Sequence, residues 1–471
     1  MALGTKNVNY PTDYNLKTLN LVTTLKGNGV VNLMPFLIEL NLFEDIYSST
    51  ISGEILVQDA MGLISSYMLN GTEFLQVQLQ KTTQDSQFYS RNFRVYKVGK
   101  RVIGDNNDYE VFSLNFCSEE FLLSEQYRIS KSFQGQQISD IITTILKDFV
   151  KVGTGNTKKI NIEKTIGVYD FVLPNKKIFE TINWLATYAQ PATGKIGADM
   201  LFYETSKGYY FSSLQTLYAG PVYTSYKFDP KNITNDMNQK VTNASDFEVL
   251  EFFDTLSGTT NGTFANKVIS LDILQRKVNK TDGVFNYLTF FNNSNKLNKN
   301  PITNNYKNRL GGTITGNAPT TPGLEMGTLR MATGNSQQKK NPYLSQNPDK
   351  VANDIMIEKY LPNRVAQLAL SNYTKIKITV PGDPNLIVGR VVNFSTYQVS
   401  PTSWQQSKDN ATRKPDPYYS GKYLVTAVRH IIQNKSYITI IEMCKDSVTG
   451  QYSGFDNNNA LLKQFVNGNQ A

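Results

Sequence analysis

The sequence predicts a mainly β protein with α+β insertions, in which two similar antiparallel β-regions flank a helix-containing segment. Apolar and polar residues alternate with period two near both ends of the chain, as in half-buried strands. Between these regions the apolar residues recur at the spacing of amphipathic helices. The two β-regions also align with each other, which indicates an internal duplication.

The first residues are polar with little periodicity, so we expect an N-terminal arm over residues 1–29. A first β-domain is predicted at 30–120. In "EFLQVQLQ", Leu75, Val77 and Leu79 alternate with glutamines, which places one face in a core and the other in water or against a neighbour. Two further strands are predicted on either side of the turn residues at 104–108.

The segment 121–222 is predicted to form an α+β domain. One helix is indicated by an apolar stripe at helical spacing, formed by Ile138, Ile141, Ile142, Ile145, Leu146 and Phe149. A second helix is predicted in "LPNKKIFETINWLATYA", with Asn175 as its N-cap. A hairpin turning at Lys207 and Gly208 follows. The apolar stripes are more typical of a core than of a cofactor site.

The second β-domain is predicted over 223–289 and 351–447, with a helix near 364–372 and four closing strands. Asparagine-rich polar sequence interrupts it at 290–350. Because this sequence can bury little apolar surface, we expect a long surface insertion there. Residues 448–471 are predicted to form a polar C-terminal tail.

Three pairs of segments carry the duplication. "NGTEFLQVQL" aligns with "IVGRVVNFST", "FRVYKVGKRVI" with "YLVTAVRHII", and "YEVFSLNFCSEE" with "YITIIEMCKDS", with one residue of slack at the hairpin. In this alignment Cys117 coincides with Cys444, and His430, the only histidine, lies beside Arg101. The stretch around His430 is therefore predicted to be the second copy of a β-hairpin.

Signals of enzymatic chemistry are weak. His430 and Cys444 are residue types of a base and a nucleophile, but they fall on different predicted strands and the first copy has no imidazole. One histidine and two cysteines argue against a zinc site. Gly311 and Gly316 have the spacing of a phosphate loop, yet "NA" replaces the residues that would hold phosphate and magnesium. We predict no catalytic, cofactor-binding or metal-binding residues, while a carboxylate-only divalent-ion site and a hydrolase with paired carboxylates stay open.

Composition also argues against several classes of protein. The net charge of +9 comes from 48 Lys and Arg against 39 Asp and Glu, and the basic residues form no run of five, which argues against a dedicated nucleic-acid binder. Two cysteines among 471 residues predict free thiols in a reducing compartment. We find no apolar run of the roughly 18 residues that a membrane helix needs and no signal-peptide pattern, so we expect no membrane anchor and synthesis in a cytoplasm.

Taken in order, several segments resemble the baseplate central hub protein of T-even-like contractile-tailed bacteriophages, a family related to the hub part of VgrG spikes. The segments are "SGEILVQDAMGLISSYMLNGTEFLQVQL", "YRISKSFQGQQISDIITTILKDFV", "VLPNKKIFETINWLATYA", "LIVGRVVNFSTY" and "GKYLVTAVRHIIQNKSYITIIEMCKD". The resemblance spans roughly residues 30–450 and depends on the order and spacing of the segments. The insertion at 290–350 and the tail depart from the family pattern.

The resemblance implies two similar tube-type β-barrel domains and a structural role without enzymatic activity. It implies a homotrimer in the virion baseplate, made in the host cytoplasm, that joins a threefold central spike to a sixfold tail tube and lines the DNA channel. The implied partners are the central spike protein, a tail tube or tube-initiator protein and neighbouring baseplate wedge proteins, with DNA contacted only in passage. A tail-associated cell-wall or glycan hydrolase is the alternative.

Overall fold

The structure is a computed structural model that describes residues 3–4, 10–23, 29–81, 89–104, 108–152, 158–192, 199–230, 236–272, 276–279, 284–302, 328–333, 357–398, 415–433 and 436–450. Its largest element is a 14-stranded, mostly antiparallel sheet. The prediction of a mainly β protein is therefore confirmed.

The N-terminal part supplies the first half of this sheet. Its strands are β1 (Leu3–Gly4), β2 (Asn15–Val22), β3 (Val30–Asn32), β4 (Leu37–Asp45), β5 (Ser52–Asp59), β6 (Phe74–Gln80), β7 (Tyr89–Ile103) and β8 (Glu110–Ser118); its helices are α1 (Leu63–Tyr67) and α2 (Glu119–Gln126), with a 3-10 turn at Met34–Phe36. Strand β2 lies in the segment predicted to be an arm. It pairs with β6 and buries Leu16, Leu19 and Leu21, so this part of the segment is a strand of the sheet.

The next segment is built from short strands and helices. They are β9 (Arg128–Ile129), β10 (Ser132–Gln136), α3 (Ile138–Thr144), which continues into a π-helical turn (Ile145–Phe149), β11 (Lys159–Ile162), β12 (Tyr169–Val172), β13 (Lys176–Lys177), α4 (Ile178–Ala186), β14 (Met200–Thr205), β15 (Gly208–Ser213) and α5 (Leu214–Tyr218). The predicted stripe on α3 is buried except at Phe149. The predicted N-cap Asn175 is wrong: Lys177 occupies that position, and Asn175 has a left-handed φ of 51°.

The C-terminal part supplies the second half of the sheet. Its elements are β16 (Val222–Lys227), α6 (Met237–Thr242), β17 (Asp246–Phe252), α7 (Thr255–Thr260), β18 (Ala265–Asp272), β19 (Lys277–Asn279), β20 (Val284–Asn286), α8 (Tyr287–Asn293), β21 (Asn300–Pro301), β22 (Thr328–Thr333), α9 (Ile357–Leu370), β23 (Thr374–Pro381), β24 (Val391–Ser395), β25 (Gly421–Gln433), β26 (Ser436–Cys444) and β27 (Ser447–Val448).

The predicted insertion at 290–350 begins as packed structure. Leu297 and Ile302 are buried, and the Asn298 amide donates to the backbone carbonyls of Lys422 and Ser447 at 3.0 Å each. Residues 303–327 and 334–350 of this predicted insertion lie outside the described residues, as do residues 451–471 of the predicted tail.

The two β-regions repeat one strand order. The first runs β2-β6-β7-β8-β5-β4 and the second β16-β24-β25-β26-β23-β17, and the strands follow each other along the chain in the same sequence. Arg94 pairs with Cys117 as Leu424 pairs with Cys444, and a bulge follows at the same place in β7 and β25. The predicted duplication is thus confirmed for these strands. The halves differ at one strand, because β2 is antiparallel to β6 whereas β16 is parallel to β24.

A single sheet runs through both halves. The strand β4 pairs with β5 on one edge and with residues 427–433 of β25 on the other. In the part of the chain that the structure describes, neither half therefore closes into a barrel of its own. Each half has its own apolar core, and Ile432 and Tyr437 of the second half complete the core of the first.

Charged side chains are buried where the helix-containing segment meets the sheet. The Lys158 ammonium donates to Glu120 Oε2 at 2.5 Å and to Glu204 Oε1 at 2.7 Å. Glu204 Oε2 accepts from the backbone N–H of Ile51 at 3.0 Å. Burial lowers the pKa of Lys158, but the two carboxylates outweigh it and the net shift is upward. This ion triad ties α2, β14 and the sheet together.

A second buried carboxyl lies near the tip of the β14–β15 hairpin. Glu44 Oε1 accepts from the backbone N–H of Ser206 at 2.8 Å. Burial raises the pKa of Glu44 from 4.5 to about 7. Between about pH 4.5 and pH 7, the folded protein therefore keeps a proton on this carboxyl that the unfolded chain releases.

Substituting Glu44→Gln should change how stability depends on pH. Because the native pKa is raised, the free energy of unfolding of the unsubstituted protein falls as pH rises from about 4.5 through about 7. Glutamine does not ionise, so the free energy of unfolding of the variant lacks this pH dependence. Between pH 5 and pH 8 it should therefore rise by up to about 3 kcal/mol relative to that of the unsubstituted protein. Thermal melts of both proteins at the two pH values measure this. A difference that does not change with pH would contradict the assignment.

Candidate functional site: two open strand edges

His430 and Cys444 do not form a catalytic pair. His430 is 1% exposed, its Nδ1 lies 2.8 Å from the Tyr437 hydroxyl, and burial lowers its pKa to about 4. It pairs across the sheet with Thr439, five residues from Cys444 along β26. Five residues of strand span roughly 17 Å, too far for proton transfer.

The two cysteines are free and buried. Burial raises the pKa of each thiol to about 12, so neither is a thiolate at neutral pH. Thiol titration of the native protein should therefore give almost no reaction, and titration of the denatured, unreduced protein should give two thiols. A reading near zero after denaturation would contradict the assignment of free cysteines.

The other sequence candidates are not brought together into a site. Gly311 and Gly316 lie outside the described residues. Among the residues with described positions, no group of three or more His, Cys, Asp and Glu side chains could hold a metal ion. None of the helices in the described ranges is long and apolar enough to cross a membrane.

The repeat predicts where another strand junction can form. Within the chain, β4 of the first half pairs with residues 427–433 of β25 in the second half. The equivalent of β4 is β17, and the equivalent of that part of β25 is residues 97–103 of β7. In the described part of the chain, β17 pairs only with β23, and residues 97–103 pair only with β8. Among the described residues, β17 and residues 97–103 of β7 therefore each have one edge without a strand partner.

The two open edges carry opposite charges. Strand β17 has Asp246, Glu248 and Glu251, while residues 97–103 include Lys97, Lys100 and Arg101. The Glu248 side chain is 52% exposed and that of Lys100 is 73% exposed. Both edges also expose large apolar side chains, namely Val249 and Leu250 on β17 and Val102 and Ile103 on β7. The edges carry opposite charges, some of which also form ion pairs within the chain, and both have an apolar part.

These edges lie at opposite ends of the strand path β7-β8-β5-β4-β25-β26-β23-β17, while residues 89–94 of β7 continue the sheet to β6 and β2. Exposed strand edges with unpaired backbone groups pair readily with other strands. Joining β17 of one copy to β7 of the next is a head-to-tail contact, which generates a ring when the rotation closes. The arrangement can therefore extend the sheet from copy to copy.

Comparison with known proteins gives one sequence relative of wide coverage. No protein-family model matches the chain. The "Probable baseplate hub protein gp334" of Vibrio phage KVP40 is 21% identical over 418 residues, which is 86% of this chain and 89% of that protein.

Among solved structures, the tail protein from Neisseria meningitidis MC58 covers 92% of this chain and 97% of its own, with 9% identity and a TM-score of 0.49. The E. coli c3393 protein is described as a component of the type VI secretion system with structural similarity to T4 tail proteins gp27 and gp5. It covers 94% of this chain and 77% of its own, with 9% identity and a TM-score of 0.44. In sequence, then, the chain is similar over most of its length to a probable phage baseplate hub protein.

Proposed function

We propose that the protein is the structural baseplate hub of a contractile phage tail, a homotrimer that joins a threefold central spike to a sixfold tail tube and lines the DNA channel. Its place is the tail baseplate of the virion. The sequence relative supports the hub role, since that protein carries the name of a baseplate hub protein and matches over 89% of its length. The proposed domain map follows the sequence prediction, except that Asn15–Val22 belongs to the first β-domain and the start of the 290–350 segment packs against the second. The two β-domains are the repeating units of the wall.

The proposal depends mainly on one observation: the strand junction between the two halves of the chain can form again, by equivalent strands, between neighbouring chains. The β4–β25 junction joins first half to second half. A β17–β7 junction joins second half to first half of the next copy by equivalent strands. Repeating both junctions gives a ring in which every half has the same neighbours. Three chains supply six similar halves, which is the number that matches a sixfold tube.

The ring has a size that suits a channel. Each chain contributes the eight strands from β7 to β17 along the continuous path. Neighbouring strands lie about 4.8 Å apart, so a ring of about 24 strands has a backbone diameter of at least roughly 37 Å. After about 5 Å of side chains on each side, a passage of roughly 25 Å remains, wide enough for a DNA double helix. A ring of two chains would be too narrow for it.

The proposed partners follow from this geometry and from the resemblance. The sixfold face of the ring would receive the tail tube or a tube-initiator protein, and the helix-containing segments, one per chain, would present a threefold face to the spike and sites to the wedge proteins. DNA touches the protein only in passage. The alternative of a tail-associated hydrolase receives no support from His430 or from either cysteine, all three of which are buried.

Mass and symmetry test the proposal. The purified chain, alone and co-expressed with a candidate central spike protein, should be measured by light scattering and imaged by electron cryo-microscopy with only threefold symmetry imposed. We expect three copies of the 53.0 kDa chain around a channel, with six comparable β-regions in its wall. A complex with one copy of the chain, or a ring of six chains, would refute the proposal.

A further inference from the structure

One face of the strand path carries paired charges. This wall face is the side of β7 to β17 that lies opposite the two apolar cores. Strand register places on it the side chains of Glu39 and Asn41 on β4, Glu54 on β5, Lys97 on β7, Asn115 on β8, Arg429 on β25, Glu442 on β26, Lys377 on β23 and Glu248 on β17. Leu40, Leu42 and Ile55 point to the other side, where they are buried in the first core.

Four ion pairs cross between strands on this face. Lys100 Nζ lies 3.3 Å from Glu54 Oε1, and Lys375 Nζ lies 2.9 Å from Glu442 Oε2. Arg429 Nη2 lies 3.6 Å from Glu39 Oε1, and Lys377 pairs with Glu248. In each pair the cation and the carboxylate come from different strands. The face is thus close to charge balance although the chain as a whole has a net charge of +9.

We propose that the wall face is the surface past which DNA moves, and that its carboxylates act as fixed counterions that keep the lysines and the arginine with which they pair from binding phosphates. This inference rests on the proposed function, and it assigns a role to the ion pairs that goes beyond forming a channel.

Paired cations bind phosphates weakly because of the way in which proteins bind DNA. Affinity arises largely from cations that neutralise phosphates and release condensed counterions, and each such contact adds about 0.9 to the slope of log affinity against log salt. A lysine already paired with a glutamate offers the phosphate little net attraction. Exposed pairs of this kind contribute little to stability, so stability alone does not explain four of them on one face.

Removing carboxylates from the face should convert it into a DNA-binding surface. The variant Glu54→Gln with Glu442→Gln leaves Lys100 and Lys375 without their partners. The matched control is Glu125→Gln with Glu180→Gln, since these glutamates pair with Lys177 and Lys176 away from the wall face. Both double variants raise the net charge by the same amount. We expect the wall-face variant to bind duplex DNA about tenfold more tightly than the control, with a steeper salt dependence.

Fluorescence anisotropy with a labelled duplex at near-physiological and raised salt measures both quantities. As a control, light scattering should give each variant the same mass as the unsubstituted protein. Equal DNA affinities of the two double variants would overturn the inference. That result is distinct from failure of the proposed function, which would appear as a monomeric mass of the unsubstituted protein in complex with its spike.

Discussion

Reversing the charge of strand β17 should abolish the trimer and leave the fold intact. The substitutions Glu248→Lys and Glu251→Lys set a basic edge against the basic residues 97–103 of the neighbouring copy. Like charges placed opposite each other across an interface cost several kcal/mol, so we expect association to weaken by at least about 100-fold. Light scattering at matched concentrations should give the mass of a single 53.0 kDa chain. Because both positions are on an exposed edge, the melting temperature should change by only a few degrees.

The complementary exchange provides the decisive control. Adding Lys97→Glu and Lys100→Glu to the β17 variant restores opposite charges across the proposed junction and should restore the trimer. Glu125→Lys with Glu180→Lys makes the same change of charge away from both edges and should leave the trimer unaffected. A trimer that survives the β17 substitutions, or that the exchange fails to rescue, would show that the copies meet elsewhere.

The second large effect is expected at the buried ion triad. Lys158→Met removes the cation between Glu120 and Glu204 and leaves two carboxylates without their counter-charge at a site where Lys158 and Glu120 are 5% exposed and Glu204 is fully buried. Breaking a buried ion pair by removing one partner costs about 3–5 kcal/mol. We expect a clear fall in melting temperature, with the helix-containing segment affected most.

A compensated variant separates lost charge from lost packing. Lys158→Met combined with Glu120→Gln and Glu204→Gln contains no buried charge at this site, and the side-chain amide oxygen introduced by the last substitution can still accept from the Ile51 N–H. Such replacements are often neutral in stability. The triple variant should recover most of the loss. A Lys158→Met protein that melts within a degree of the unsubstituted one would show that the triad does not stabilise the junction.

The strands of the repeat could be predicted because their signal is local. Leu75, Val77 and Leu79 alternate with polar residues in one copy, and the aligned segments of the other copy have similar apolar patterns. The three pairs of equivalent segments and the match of Cys117 with Cys444 could therefore both be read from the sequence. The free state of the two cysteines followed from their number and separation. The charge of β17 and of residues 97–103 was also visible in the sequence, but its meaning required knowing that both are edges.

Other features could not be predicted because distant parts of the chain determine them. The sequence of β2 predicts an arm because a bulge between Leu16 and Thr18 interrupts its alternation of apolar and polar residues. The β4–β25 junction joins residues nearly four hundred positions apart, and neither strand marks the other as its partner. Lys158, Glu120 and Glu204 are of residue types that usually lie on the protein surface. Only the tertiary fold brings them together in a buried site. Asn175 has the side chain of an N-cap, yet the helix begins after it.

The pairing of β4 with β25 also changes the thermodynamics of assembly. Every association event costs translational and rotational freedom, estimated at about 4–15 kcal/mol. When two wall units belong to one polypeptide, their mutual contact forms during folding, and the linkage holds them at a high effective concentration. A closed ring of six units then needs two association events between molecules in place of five, and three intermolecular seams in place of six. Half of its seams exist before any two molecules meet, so the ring can persist at lower protein concentrations than one assembled from separate units.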